Sequence, residues 1–139
     1  MTIRLTGAVQ RALYGALRAS PEIVAEVGTG IFDAAPDGTI DGRVGTYILI
    51  GETKIRPRGS QGAGAARHEL AIEVISDARG FADVKHVAEQ ICALLEGADL
   101  PLEGGAIRDL RSIAAEAKRD SAPERRRMTL TFRAFVEEE

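Results

Sequence analysis

Residues 68–97, HELAIEVISDARGFADVKHVAEQICALLEG, change their apolar period half-way along and predict a strand, a turn and a helix. Between Leu70 and Val74 every second residue is a large apolar one, the period of a strand with one buried face. From Phe81 onward apolar residues recur every three or four positions, as on one face of a helix of about four turns. Gly97 follows the last apolar pair and is typical of a helix C-terminus. The unit carries no obvious chemistry, so it predicts a scaffold.

The chain before this unit predicts two helices and two strands. An apolar stripe predicts a helix over about 3–19, and Ser20 and Pro21 are typical of the start of a second helix that ends near Val27. Residues 31–33 predict a short strand and 46–58 a longer one. The Gly-rich residues 59–66 predict a flexible hairpin loop to the strand at 67–76.

Residues 107–119 after the central helix are ambiguous. Their Ala, Glu and Lys content and the spacing of Ile107 and Leu110 favour a helix. Yet residues 126–136 alternate strongly as a strand after a short turn, which calls for an antiparallel partner. We therefore prefer the strand interpretation for 107–119.

The composition fits one domain, spanning 1–139, and excludes several classes of protein. The chain has 4% aromatic residues, no Trp and a net charge of −3, so its core is aliphatic and it has no global basic field for nucleic acid. Such a core is compatible with a stable monomer and with a subunit that buries more surface in an oligomer, and we favour the subunit. The single cysteine, Cys92, excludes an intramolecular disulfide and a Cys-based zinc site, and we expect it to be buried and unreactive. No segment resembles a signal peptide or a membrane span, so we expect a cytoplasmic protein that does not use a membrane.

The search for catalytic, cofactor-binding and metal-binding residues yields none. His68 and Glu69 begin like the zinc motif HExxH, but residue 72 is Ile, so solvated or hydrogen-bonded histidines are expected. The glycines of 59–64 lack the Lys-Ser/Thr pair and the following helix of a phosphate loop. We expect no enzyme activity and no cofactor.

Basic residues suggest one local feature. The run at 125–127 is most simply a solvated face, but together with Arg56, Arg58 and Arg67 it would form a basic patch. Such a patch would meet an acidic protein face or DNA passing nearby.

The order of these segments resembles a family of phage proteins. The pieces that carry the resemblance are VQRALYGALRASPEI, GIFDAAPDG, TYILIGE, the strand–SDARG–helix unit, LPLEGGAIRDLRS and RRRMTLTFRAFVE. They cover about residues 5–136 and are similar to tail terminator (tail-completion) proteins of siphophage-like particles and of gene transfer agents. IFDAAP and the SDARG unit are the most specific pieces.

The resemblance implies an α/β (α+β) fold, a mixed, largely antiparallel sheet packed against an N-terminal and a central helix, with a C-terminal β-hairpin at 107–136. It also implies a virion protein without catalysis, which assembles in the cytoplasm and then forms part of the tail. Six copies would form a homohexameric ring that ends the tail tube, with the tube protein and the head–neck stopper or adaptor proteins as partners. Contact with DNA in the lumen is left open.

A ring interface would join two different faces of neighbouring copies. We expect the contacts in the hairpin 53–68 and the turn 77–81. The expected contact residues are Arg56, Arg58, Gly59, Gln61, Gly64, Arg67, His68, Asp77, Arg79 and Phe81. The alternatives are a neck or stopper protein, a tail-tube subunit, and, from another class, a small cytosolic α/β ligand-binding domain.

Overall fold

A computed structural model of the 139-residue chain describes residues 5–34, 45–57, 65–121 and 123–139. Three helices and six strands follow one another along it. They are α1 (Thr6–Arg18), α2 (Pro21–Val27), β1 (Ile31–Phe32), β2 (Thr46–Pro57), β3 (Ala65–Ser76), α3 (Ala82–Leu95), β4 (Leu100–Leu102), β5 (Gly105–Ser121) and β6 (Glu124–Glu138).

The helix boundaries follow from local chemistry. The Ser20 hydroxyl accepts a hydrogen bond from the Ile23 amide at 3.3 Å, and Pro21 opens α2, as predicted. Gly97, just beyond α3, has φ 75°, a conformation that a glycine adopts without steric cost. In the described part of the chain α1 begins at Thr6, later than the predicted start near residue 3.

The strands form one sheet in the order β1-β2-β3-β6-β5-β4. The pairings are antiparallel except that of β1 with β2, which is parallel. The predicted fold class is confirmed, and residues 107–119 lie within β5, so the strand interpretation of that segment is confirmed.

The core lies between the helices and one face of this sheet. On β3, Leu70, Ile72 and Val74 are buried, and on β6 Leu130 and Phe132 face the same side. They form a single apolar cluster with buried residues of all three helices. The opposite sheet face carries the polar residues that alternate with them.

Irregular pairing bends the sheet near its edges. The β2–β3 register shifts between Ile50 and Thr53, and the β5–β6 register shifts between Arg108 and Arg111 and again after Ser112. Asp109, inside the first β5 irregularity, has φ 50°, which is unusual for a residue other than glycine.

The predicted flexible loop 59–66 is only partly within the described residues. Ala65 and Ala66 belong to β3 and pair with Glu137 and Val136, so the loop prediction was wrong for these two residues. Small side chains fit a ladder as well as they fit a loop, and composition alone did not distinguish the two. Residues 59–64 lie outside the described part.

Candidate functional site

The two histidines lie in different environments. His86 is exposed on α3, with its Nε2 3.4 Å from a carboxylate oxygen of Glu26. His68 has no exposed surface, and neither of its ring nitrogens has a hydrogen-bond partner in the described part of the chain. Burial lowers the pKa of His68, because a buried imidazolium loses its hydration. The expectation of a solvated or hydrogen-bonded His68 was therefore wrong.

Cys92 lies half-buried on α3. Burial, followed by the nearby Glu96 carboxylate, raises the pKa of its thiol. A thiol with a raised pKa carries little thiolate at neutral pH and is a poor nucleophile. Among the described residues, no group of three or more His, Cys, Asp and Glu side chains is placed to hold a metal ion.

A groove of about 420 Å³ lies between α1 and β1. Its polar side chains include Gln10, Arg11, Tyr14 and Asp33, and the Gln10 amide donates to Asp33 at 3.4 Å. Its one hydroxyl among the described lining residues, that of Tyr14, accepts a hydrogen bond from Arg18 at 3.1 Å, and the lining has no Ser, Thr, Cys or His. The groove therefore offers shape and hydrogen bonds rather than an activated nucleophile.

The contact residues expected in the hairpin differ in their exposure. Arg56 on β2 is exposed and pairs in register with Arg67 on β3, whose guanidinium lies 4.0 Å from Glu69. His68 is buried beside them and has no exposed surface to contribute. Arg58, Gly59, Gln61 and Gly64 lie outside the described residues.

The residues expected in the turn at 77–81 also differ from one another. Asp77 and Arg79 are exposed, whereas Phe81 is half-buried. The Phe81 ring lies 5.4 Å from the Arg126 guanidinium carbon and 5.7 Å from the Lys85 ammonium. Phe81 thus joins the start of α3 to β6 within the subunit, and only Asp77 and Arg79 remain open to a partner.

The suggested basic patch does not form among the described residues. Arg67 pairs with Phe135 near one end of β6, whereas Arg127 lies near the other end, opposite Ile75. Eight strand residues separate these positions, roughly 26 Å at about 3.3 Å per residue. Arg127 is also neutralised within the subunit, 3.0 Å from Glu73 and 2.9 Å from Asp120.

The sheet edges are a feature that the sequence-based prediction missed. β5 has 17 residues, but its outer neighbour β4 has three and pairs only with Gly105–Ile107. The strong length difference between the segment 100–102 and the segment 107–119 was the available signal. At the other edge, β1 covers only Ile48 and Leu49 of the 12-residue β2.

Comparison with known protein families identifies the family to which this chain belongs. Residues 11–137 match the profile of the family described as Tail completion protein gp17. The chain belongs to this tail completion family. The resemblance read from the sequence is thereby confirmed, and membership makes the chain a structural protein of a virion tail.

One solved relative of this tail completion protein is a chain of the "Virion of native gene transfer agent (GTA) particle". It is 38% identical, the match covers 98% of this chain and 99% of that chain, and the TM-score is 0.87. A second solved structure has 13% identity and a TM-score of 0.57, covers 100% of this chain and 96% of its own, and shares the fold alone. No curated protein sequence matches the chain. No helix in the described segments is long and apolar enough to cross a membrane.

Proposed function

We propose that this tail completion protein forms a ring that ends the tail tube and joins it to the head–neck complex of a siphophage-like particle or gene transfer agent. The observation that carries the proposal is the 38% identical chain of a native gene transfer agent virion, matched over nearly the full length of both chains. The absence of a reactive constellation in the groove between α1 and β1 also favours a structural role over catalysis.

The proposed partners are other copies of the same chain, the tail tube protein and the neck proteins. The exposed side chains of Arg56, Asp77 and Arg79 stand as proposed contact residues. Assembly would begin in the cytoplasm, and the protein would then become part of the tail. Six copies are proposed, and DNA passing through the lumen would touch the ring only in passing.

Electron microscopy with mass measurement tests this proposal on the full chain, alone and mixed with purified tail tubes. The expected result is a closed ring of defined mass, free or seated at one end of each tube. A tail-tube subunit would instead grow into long filaments by itself. A monomer at high concentration that leaves the tubes bare would overturn the proposal.

A genetic test is independent of the state of the purified protein. Particles made without this chain should have tails of irregular length that fail to join heads. Normal tail length together with normal head attachment in such particles would contradict the proposed function. A small ligand-binding domain would give this normal outcome as well.

A further inference from the structure

Among the described residues, each edge of the sheet is covered along one half and open along the other. On β2, β1 covers Ile48 and Leu49, and no described strand pairs with the outer side of residues 51–57. On β5, β4 covers Gly105–Ile107. Further along β5, the Asp109 amide donates to the Asp99 carboxylate at 3.2 Å, and the Ser112 amide donates to the Glu96 carboxylate at 3.0 Å. The outer side of residues 114–121 has no described strand beside it.

The two open halves lie at diagonally opposite corners of the sheet. Thr53 in the open half of β2 is in register, through Leu70 and Phe132, with Ser112 in the covered half of β5. Ile48 in the covered half of β2 is in register, through Val74 and Met128, with Ala117 in the open half of β5. If a neighbouring copy lay in the same plane with no shift along the strands, the open half of β2 would therefore face the covered half of β5.

The directions of the two edges are suited to each other. Successive pairings from β2 through β3 and β6 to β5 are all antiparallel, so β2 and β5 run in opposite directions. When a second copy lies beside the first in the same orientation, its β5 therefore runs antiparallel to β2. Each open half holds seven or eight residues, enough for a short ladder.

Joining the two open halves requires a stagger between copies. The stagger is about six residues, roughly 20 Å along the strands at about 3.3 Å per residue. Each copy adds four strands to the shared sheet, roughly 19 Å across at about 4.8 Å per strand. Because the shifts along and across the sheet are nearly equal, the strands would be tilted by about 45° from the axis of the ring. Strands in closed barrels are tilted by about 35–45° from the barrel axis.

We propose that the open half of β2 in one copy pairs antiparallel with the open half of β5 in the next, so that the ring is closed by one continuous sheet. This inference rests on the proposed ring. It places residues 51–57 on one side of each interface and residues 114–121 on the other, a heterologous contact that closes by rotation.

The two open halves carry exposed charges of both signs. Glu52, Lys54, Glu116 and Lys118 are exposed and have no ion-pair partner among the described residues, whereas Glu73 on an inner strand is paired with Arg127. Charged side chains on an open edge hinder unspecific strand pairing of free subunits. Pairing would then be favoured where many copies are held together, as on a tube end.

Cysteine cross-linking of the assembled full chain tests the contact. In a Cys92→Ala background, Lys54→Cys and Lys118→Cys place one thiol on each edge, on the same sheet face. Antiparallel neighbours hold their Cβ atoms about 4.5–5.5 Å apart, slightly long for a disulfide, so a short bismaleimide is the probe. Glu116→Cys in place of Lys118→Cys shifts the register by two residues and keeps the face.

The expected result is a ladder of covalent oligomers from rings of the double variant, ending at the subunit number of the ring. A mixture of the two single variants should give covalent dimers and no larger species. Either single variant alone should stay uncross-linked, because the contact is not between identical edges. Melting curves establish that each variant folds.

Two other outcomes are distinguishable. In the first, rings form normally, but cross-links join only identical positions, or Lys54→Cys cross-links with neither Lys118→Cys nor Glu116→Cys. That outcome would overturn the edge pairing and leave the proposed function standing. If the parent protein forms no ring with or without tubes, the proposed function fails, and the edge pairing fails with it.

Discussion

Glu96, just beyond α3, accepts two hydrogen bonds from Ser112 on β5, from the amide at 3.0 Å and from the hydroxyl at 2.8 Å. The same link is reinforced by the Gly97 amide, which donates to the Leu110 carbonyl at 2.7 Å. The end of the central helix is thereby tied to the outer edge of the sheet, at the point where the covered part of β5 ends.

This tie predicts an acid-sensitive contribution to stability. The two bonds from Ser112, backbone first, lower the pKa of Glu96 below its ordinary value of 4.5. A lowered carboxyl pKa means that the stabilisation is complete above the unfolded-state value and is lost as the pH falls through the folded-state value. Ser112→Ala removes the hydroxyl donor and keeps the amide donor, so it should flatten the acid limb of stability in part, measured by urea unfolding across a pH series. Ser121→Ala, an exposed serine on the same strand, should leave that limb unchanged.

Two glycines should respond in opposite directions to alanine. A Cβ at Gly105 would collide with the Glu137 carbonyl oxygen and lie 2.9 Å from Leu5 Cδ1, whereas a Cβ at Gly15 would meet nothing within 4 Å. Gly105→Ala should cost about 1–3 kcal/mol of unfolding free energy through overpacking. Gly15→Ala should add about 0.5–1 kcal/mol by improving helix propensity. Equal effects in denaturant titrations would show that the close approach at Gly105 is absent.

His68 should limit stability below neutral pH. Its lowered pKa means that the unfolded chain takes up the proton first, so stability is complete above about 6.5, the ordinary value, and declines as the pH falls below it. His68→Leu should remove two unbonded buried nitrogens, raise the unfolding free energy by about 1 kcal/mol, and abolish this decline. His86→Gln, at an exposed site, should change stability by no more than about 0.5 kcal/mol. An unchanged pH profile for His68→Leu would assign the decline to other groups.

Arg127 should be more sensitive to substitution than Arg125, two residues before it. Its guanidinium donates twice to Asp120, at 3.1 and 2.9 Å, and lies 3.0 Å from Glu73. Arg127→Met leaves two half-buried carboxylates facing each other, and should cost about 1–2 kcal/mol. The Arg125 guanidinium donates to the Glu124 carbonyl at 3.1 Å and to no other described residue, so Arg125→Met should cost under about 0.5 kcal/mol. Thermal melts in low and high salt would separate the pairing from the loss of packing.

Local patterns were enough to predict most of the fold. Ser20 and Pro21 carry their own capping chemistry, and the change of period near Phe81 separates β3 from α3 without help from the rest of the chain. Residues 107–119 show the limit, because their helix propensity is overridden by pairing along β6. No local rule expresses that choice, since the partner strand begins after Pro123.

The surfaces were harder to predict, because exposure is set by the tertiary arrangement. His68 alternates with polar neighbours in the sequence, yet strand periodicity puts it on the core face with Leu70. Phe81 lies in a turn but is held by Arg126, which is 45 residues away in the sequence. The diagonal placement of the two open halves depends on the register across four strands, which no local pattern expresses.

Strand β6 carries three arginines, at 125–127, just after its first residue Glu124, and it ends with Glu137 and Glu138. These charges lie at opposite ends of the sheet, because β6 spans its full height. In a ring whose copies all point the same way, every subunit would repeat this asymmetry around the axis. The two ends of the proposed ring would therefore present different residues, and a tube and a neck would each meet a different side of one protein.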